Sequence, residues 1–486
     1  MIRRTAAALM SLSVMAACAQ APTSDSVTDS RSSTQSAVPT ALTWSACADG
    51  GVECSTVDVP VDRGDADGPQ IGIAVARLRA ADAQDRRGTL IVHAGGPAES
   101  LSLLTDPRRR AGLAELSQWF DVVTFDSRGY GKSGAVCDPR RAPPINLLDA
   151  AEDRAAHAEA QRRYAESCAA DNEPLTRHAD SVAVADDIDD IRVALGESEI
   201  AFFGNSYATV FAQAYAARHG EHLSALYLDS VVDHSRVDAV SPALASDALL
   251  TRFRDRCQEL PDCAPQGEDV LALWDSMVAA APVPVASQEP LSQAEIRSAS
   301  PVLAELAPVP FAAAVRSAHE GDGRALATMI RAARDAPAVD AGQLTNCADF
   351  PAPDAAELKR AAKAAPRSGS ARVLETWRCG GWPLPVTNPP AEVSMTHAPP
   401  ALLVNSTLDP ATHLTGAQRV RDRIPGSRLL DVTGLTHAVY LGQLDNRCVR
   451  DAVHRYLLDG VLPEAGATCE AQTLAARPSE APIPTE

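Results

Sequence analysis

Apolar runs of strand length alternate with helical periodicities in two parts of the chain, and a different pattern separates them. Thr89–His93 is almost continuously apolar, as expected of a strand buried on both faces of a parallel sheet. Phe120–Asp126, the segment ending at Phe203, His222–Val232, Pro400–Ser406 and Ser427–Val432 read the same way. Val57–Val61 and Ile71–Leu78 read as an opening antiparallel pair. Residues 150–170 are Ala-rich and charged with a helical pattern, and 180–195 carry Val182, Val184, Ile188, Ile191 and Leu195 on one helical face. From about residue 235 to 395 the helical period is broken by Pro282, Pro284, Pro308 and Pro310, and strand signals are few. This predicts an α/β protein, a mostly parallel sheet with helices on both faces, interrupted by a large inserted helical cap. The core spans 42–234 and 396–472, the cap 235–395, and 473–486 form a flexible tail.

The chemistry gathers where predicted strands end. Ile200–Phe203 runs into Gly204-Asn205-Ser206-Tyr207-Ala208-Thr209, and a helical pattern follows to Arg218. Strand, sharp turn with a central Ser, then helix is the context of a nucleophile elbow, whose tight turn needs small residues two before and two after the Ser. Gly204 and Ala208 meet that need. The backbone N–H of Tyr207 would then be one oxyanion donor. Gly95-Gly96 directly after Thr89–His93 lets backbone N–H groups approach a ligand, making Gly96 the candidate second donor. Asp409 follows the strand at 400–406, and His437 follows the strand at 427–432. An isolated His is usually surface or core, and an Asp before Pro is usually a turn. Three such residues at three strand ends point instead to a Ser206–His437–Asp409 triad. Ser127–Gly134 resembles a phosphate loop but lacks its first Gly, because Asp126 stands there. It reads as a structural turn, with Arg128 paired to a buried carboxylate.

Length and charge narrow the partners. At 486 residues the chain exceeds one typical core, in keeping with a domain plus an insertion. The net charge is −19, without a long basic run, which argues against nucleic acid. Met1–Arg4 is a positive n-region and Ala6–Ala17 an apolar stretch too short to span a bilayer. It ends in Val14-Met15-Ala16-Ala17-Cys18, which resembles a bacterial lipobox, so residues 1–17 read as a lipoprotein signal peptide and Cys18 as the lipidation site. Residues 18–41, rich in Ser, Thr, Asp and Gln, read as a disordered tether. Setting Cys18 aside leaves ten of eleven cysteines, suited to an oxidising compartment. They fall in neighbouring couples: Cys47 and Cys54, Cys137 and Cys168, Cys257 and Cys263, Cys347 and Cys379, Cys448 and Cys469. Sequence alone leaves their connectivity open; nearest-neighbour pairing is the simplest arrangement. No couple has the CxxC spacing of a zinc site.

The order Ser206, Asp409, His437 is that of α/β-hydrolases. Together with Gly95-Gly96-Pro97, Asp126 with Arg128–Ser133, Gly204–Thr209, Asp409-Pro410-Ala411, Thr436-His437 and the segment from Cys448 to Cys469, the chain resembles one family of that fold. That family is the serine peptidases comprising proline iminopeptidases and secreted bacterial tripeptidyl aminopeptidases, the latter more closely. Cys347 with Asp349, and Cys379 with Gly381-Trp382-Pro383, fit the same resemblance. It implies the α/β-hydrolase fold and release of short peptides or amino acids from free N-termini, with no metal or organic cofactor. Departures are Ala98 and Ala208 where the family has Gly, expected to crowd the oxyanion region, and Thr436 and Ala438 beside the His. An esterase or lipase on the same fold, and a weakly active peptide-binding lipoprotein, are the alternatives. An aminopeptidase must reward a free ammonium; Asp349, with Asp354 and Glu357 behind it, is the candidate substrate-binding carboxylate. The expected partners are peptide substrates and a membrane reached through a lipid anchor on its outer side, with simple secretion as the alternative and the protein acting as a monomer.

Overall fold

The computed structural model describes residues 42–472, except 66, 97–98, 139–140, 142–150, 171, 261, 299–303, 305–306, 335–341 and 368–377. Cys18, the signal peptide, the tether and the tail therefore lie outside the described residues, as does Ala98. Ten strands form one sheet: β1 (Ser45–Ala48), β2 (Val52–Pro60), β3 (Gln70–Leu78), β4 (Thr89–His93), β5 (Asp121–Phe125), β6 (Ile200–Asn205), β7 (Leu223–Asp229), β8 (Leu402–Ser406), β9 (Arg428–Thr433) and β10 (Thr468–Glu470). Their order is β1-β2-β3-β5-β4-β6-β7-β8-β9-β10. The ladders β1/β2, β2/β3 and β3/β5 are antiparallel, and all the others are parallel. The opening antiparallel pair and the parallel runs thus stand as the hydrophobic pattern predicts.

The strand order reverses at β4, with β5 on one side and β6 on the other. Such a reversal opens a crevice at the carboxyl ends of the neighbouring strands, where open α/β sheets bind ligands. His93 at the end of β4 is in register with Gly204 near the end of β6. The loop after β4 and the turn after β6 must therefore emerge side by side.

Alternating side chains serve two cores. Ile91, Phe202, Leu226 and Leu403 join one apolar cluster, while Leu90, Val92, Phe203, Tyr227, Leu402 and Val404 join the other. Helices cover both. After α1 (Ala151–Ala169), helix α2 (Ser181–Leu195) buries Val184, Ile188 and Ile191 in the first cluster. It starts at Asp180, whose side chain accepts from the N–H groups of Val182 and Ala183, and stops at Gly196 with φ 77°. Helix α3 (Ala208–His219) packs on the same face. Arg128 is fully buried and its Nε donates to Asp187 of α2 at 2.7 Å, the buried ion pair expected of that turn.

Between β7 and β8 lie α4 (Val240–Glu259), α5 (Val270–Ala280), α6 (Pro308–His319), α7 (Arg324–Arg334), α8 (Gln343–Asp349) and α9 (Ala355–Ala364). Leu250, Phe253, Trp274, Phe311 and Ile330 give this insertion an apolar core of its own. Helices α10 (Leu414–Arg423) and α11 (Arg447–Asp459) follow β8 and β9, one on each face. Five disulfides join Cys47–Cys54, Cys137–Cys168, Cys257–Cys263, Cys347–Cys379 and Cys448–Cys469. No helix among the described residues is long and apolar enough to cross a membrane.

Candidate active site

Ser206 sits in the left-handed region, φ 55°, between β6 and α3. A non-Gly residue there is strained, and strain at this turn is what lifts the hydroxyl out of the strand. Gly204 makes the turn possible: a Cβ on it would stand 2.8 Å from the carbonyl oxygen of Ala208. Ala208 itself is fully buried within the apolar cluster beneath the sheet face. Its methyl group therefore packs into the core, which corrects the expectation that it crowds the oxyanion region.

His437 Nε2 lies 3.0 Å from Ser206 Oγ, and its Nδ1 lies 3.0 and 2.9 Å from the two carboxylate oxygens of Asp409. Asp409 is buried, and its Oδ1 also accepts from the backbone N–H of Ala411 and Thr412, both at 2.8 Å. A carboxylate so fixed only accepts, so Nδ1 carries the proton and Nε2 is left to accept from the Ser206 hydroxyl. Burial pushes the His437 pKa down, but the hydrogen bond and charge of Asp409, with the charge of Asp229, leave it raised above the usual imidazole value.

The turn after β4 closes on the elbow. Gly95 has φ 88°, and a Cβ there would stand 2.8 Å from both Ser206 Cβ and the Tyr207 nitrogen, and would collide with the Asn205 carbonyl. Only Gly brings this backbone so near the Tyr207 N–H. Gly96, φ 101°, lines the cavity over Ser206. That cavity, about 850 Å³, is also bounded by Ala94, Glu99, Arg109, Tyr130 and His437.

Three supports of this site take roles that sequence reasoning does not assign. Buried His93 accepts from the Gly95 N–H at its Nδ1, 3.0 Å, so its Nε2 carries the proton and meets Ser127 Oγ at 3.1 Å. Asp126 accepts from the N–H groups of Ser100, Leu101 and Lys132, tying the loop after β4 to the turn after β5; burial pushes its carboxyl up against those donors. Asp229, at the end of β7, accepts from the N–H groups of Val439 and Tyr440, while the Ser230 hydroxyl accepts from the Ala438 N–H. This clamp holds Ala438 in the left-handed region, φ 57°, directly after His437. The only sequence signal is a polar pair, Asp229-Ser230, closing an apolar run.

Asp349 is placed differently from its expectation. It is fully buried and lines neither the Ser206 cavity nor a second cavity of about 330 Å³ beside Tyr207 and Phe350. Its carboxylate accepts from the Ser181 N–H at 2.9 Å, the Ser181 hydroxyl, the Tyr207 hydroxyl at 2.7 Å and Asn388 Nδ2 at 2.8 Å. With its acceptor sites filled and no solvent access, it cannot receive a substrate ammonium. It instead ties α8 to α2 and to the elbow. Away from the site, Asp189, His219 and His222 are near enough to hold a metal, but Asp189 is already engaged by Arg192 at 2.7 Å and by the Tyr215 hydroxyl.

Residues 365–469, which carry Asp409 and His437, match the family model described as TAP-like protein. Tripeptidyl aminopeptidase of Streptomyces lividans is 28% identical over 463 residues, covering 86% of this chain and 83% of that protein. By these likenesses the chain resembles the tripeptidyl aminopeptidase-like α/β-hydrolases. Serine protease Hip1 of Mycobacterium tuberculosis is 28% identical over 475 residues, covering 86% of this chain and 88% of that protein. Carboxylesterase B of the same organism is 29% identical over 467 residues, covering 86% of each chain. These relatives carry hydrolase names of two kinds, peptidase and esterase.

Proposed function

We propose that this hydrolase is an exported serine aminopeptidase that releases short peptides, tripeptides foremost, or amino acids from free N-termini. The observation that carries the reading is the hydrogen-bonded run Asp409–His437–Ser206 opening on a cavity large enough for several residues. The chain's likeness to tripeptidyl aminopeptidase over most of its length supports the substrate class. In the reaction, Ser206 Oγ attacks the scissile carbonyl carbon as its proton passes to His437 Nε2. The N–H groups of Tyr207 and Gly96 stabilise the oxyanion. The C–N bond then breaks, His437 returns the proton to the leaving amine, and the acyl group stays on Ser206. Water, deprotonated by His437, attacks the ester and frees the acid and the Ser206 hydroxyl. Asp409 holds the imidazole in the required tautomer throughout.

Export rests on residues 1–17 and on the five disulfides, which suit an oxidising compartment. Cys18 is proposed as the lipidated first residue of the mature chain, holding it to the outer side of the membrane. The mass of the N-terminal peptide from membrane-extracted protein reads this directly: unmodified Cys18 within a longer peptide removes the anchor. Ser206→Ala tests the chemistry. Peptidyl p-nitroanilide turnover is expected to fall on the order of 10^4-fold or more, with fluorophosphonate labelling lost and the melting temperature unchanged. Retained turnover removes Ser206 as nucleophile. The likeness to carboxylesterase B favours a second reading, an esterase. A wild-type enzyme that hydrolyses p-nitrophenyl esters but no p-nitroanilide decides for it.

A further inference from the structure

Aminopeptidase chemistry demands a group that meets the substrate's positive end, and Asp349 is sealed away from it. We propose that Glu99 is that group, the receptor for a substrate α-ammonium in the Ser206 cavity; this rests on the aminopeptidase reading above. Glu99 is the one carboxylate among the described residues that line that cavity, which it shares with Ser206, His437 and Gly96. Its side chain is 47% exposed, so an incoming ligand can reach it. The Ser102 hydroxyl donates to its Oε1 at 2.8 Å and the Ser102 N–H to its Oε2 at 3.3 Å. These bonds aim the carboxylate without filling it, since two oxygens offer about four acceptor positions.

Its remaining partner is Arg109, whose guanidinium lies 3.5 Å from Oε1, donates to the Ser102 hydroxyl and is itself 42% exposed. That is a long, solvated ion pair of little intrinsic strength, and an ammonium can displace it. The other carboxylates around the site are spoken for. Asp126, Asp229 and Asp409 are buried, each with at least three donors of the protein's own. In the second cavity Asp233 is neutralised by Arg419 and Arg423, both at 2.6 Å, and Asp238 by Arg419 at 3.0 Å. Of the acidic groups near Ser206 among the described residues, Glu99 alone combines access, a spare acceptor and a counter-ion no nearer than 3.5 Å. N-acetylation removes the charge and two donors from the ligand, so a blocked substrate loses this contact altogether.

Mono-, di- and tri-alanyl p-nitroanilides and the matching p-nitrophenyl esters, each free and N-acetylated, test the assignment in the full chain. The reading is the ratio of kcat/KM for the free-amine substrate to that for its acetylated twin. In Glu99→Gln this ratio is expected to fall about 10-fold, the scale of one hydrogen bond to a charged group. Glu99→Asp should recover part of it. Arg109→Gln should move the other way, lowering KM for free amines by removing the competing cation. A wild type without free-amine preference, or a Glu99→Gln loss equal on free and acetylated substrates, overturns the proposal. Should Glu99→Gln fail to fold, an unchanged ratio in both Glu99→Asp and Arg109→Gln does the same. If the wild type cleaves only the esters, the peptidase reading fails, and the ester ratios still decide for or against Glu99.

Discussion

His437 and Asp349 are titrating groups whose surroundings pull against each other. For His437, burial favours the neutral ring while Asp409 favours the cation, and the partner prevails. The base must be neutral to accept from Ser206, so the acid limb of the kcat/KM profile is expected above pH about 6.5, the ordinary imidazole value. In Asp409→Asn the limb should shift downward and activity should fall on the order of 10^4-fold, through loss of tautomer control; an unshifted limb would detach Asp409 from His437. For Asp349, burial pushes the carboxyl up to about 7 against the pull of Ser181, Tyr207 and Asn388. A carboxyl raised above its unfolded value near 3.9 stabilises the fold fully below that pH, and the contribution is lost as pH rises to the folded value. The melting temperature of the wild type is therefore expected to decline between about pH 4 and 7 more steeply than that of Asp349→Asn. Parallel slopes in thermal scans across that range would remove Asp349 as the cause.

At the scale of elements, the site is an arrangement of strand ends. The turn after β4 reaches the elbow only because β4 and β6 are neighbours and position 95 has no side chain. Gly95→Ala is expected to leave the sheet folded, by circular dichroism, while lowering kcat by about 10^2–10^3-fold, the scale of one lost oxyanion donor. Near wild-type kcat would mean that this turn supplies no donor. That a Gly pair follows a strand can be read in the sequence. That Gly95 in particular carries the close approach, while Ala208 two residues after the Ser packs into the core, cannot: the first lies against the elbow backbone and the second joins the apolar cluster.

For the whole molecule, the cap has its own apolar core, yet within Thr40–Glu486 it belongs to one compact unit. Asp349 and the Cys347–Cys379 bridge lie two residues apart on the same cap segment, and Asp349 reaches α2 and the elbow directly. The bridges Cys137–Cys168 and Cys347–Cys379 close loops of 31 and 32 residues in sequence separation, each contributing about 3–4 kcal/mol on chain-entropy grounds. Reduction is expected to lower the melting temperature by several degrees, and thiol titration of the denatured, unreduced mature protein to find none of these ten cysteines free. A thiol count of two or more would break one of the pairs.

Local rules sufficed wherever a feature depends on its own few residues. Strand periods and the elbow's small residues are patterns of near neighbours, and the order Ser206, Asp409, His437 follows from three strand ends each recognised locally, so all could be read along the chain. What depends on segments far apart could not be. Asp349 was visible as an acid beside a cysteine, but its burial is decided by Ser181, Tyr207 and Asn388, which close around it only when the cap settles on the core. Asp229 clamps a loop more than two hundred positions onward. Glu99 lines the Ser206 cavity because the strand order reverses at β4. Burial and hydrogen-bond saturation are properties of what surrounds a side chain, and only the folded chain determines the surroundings.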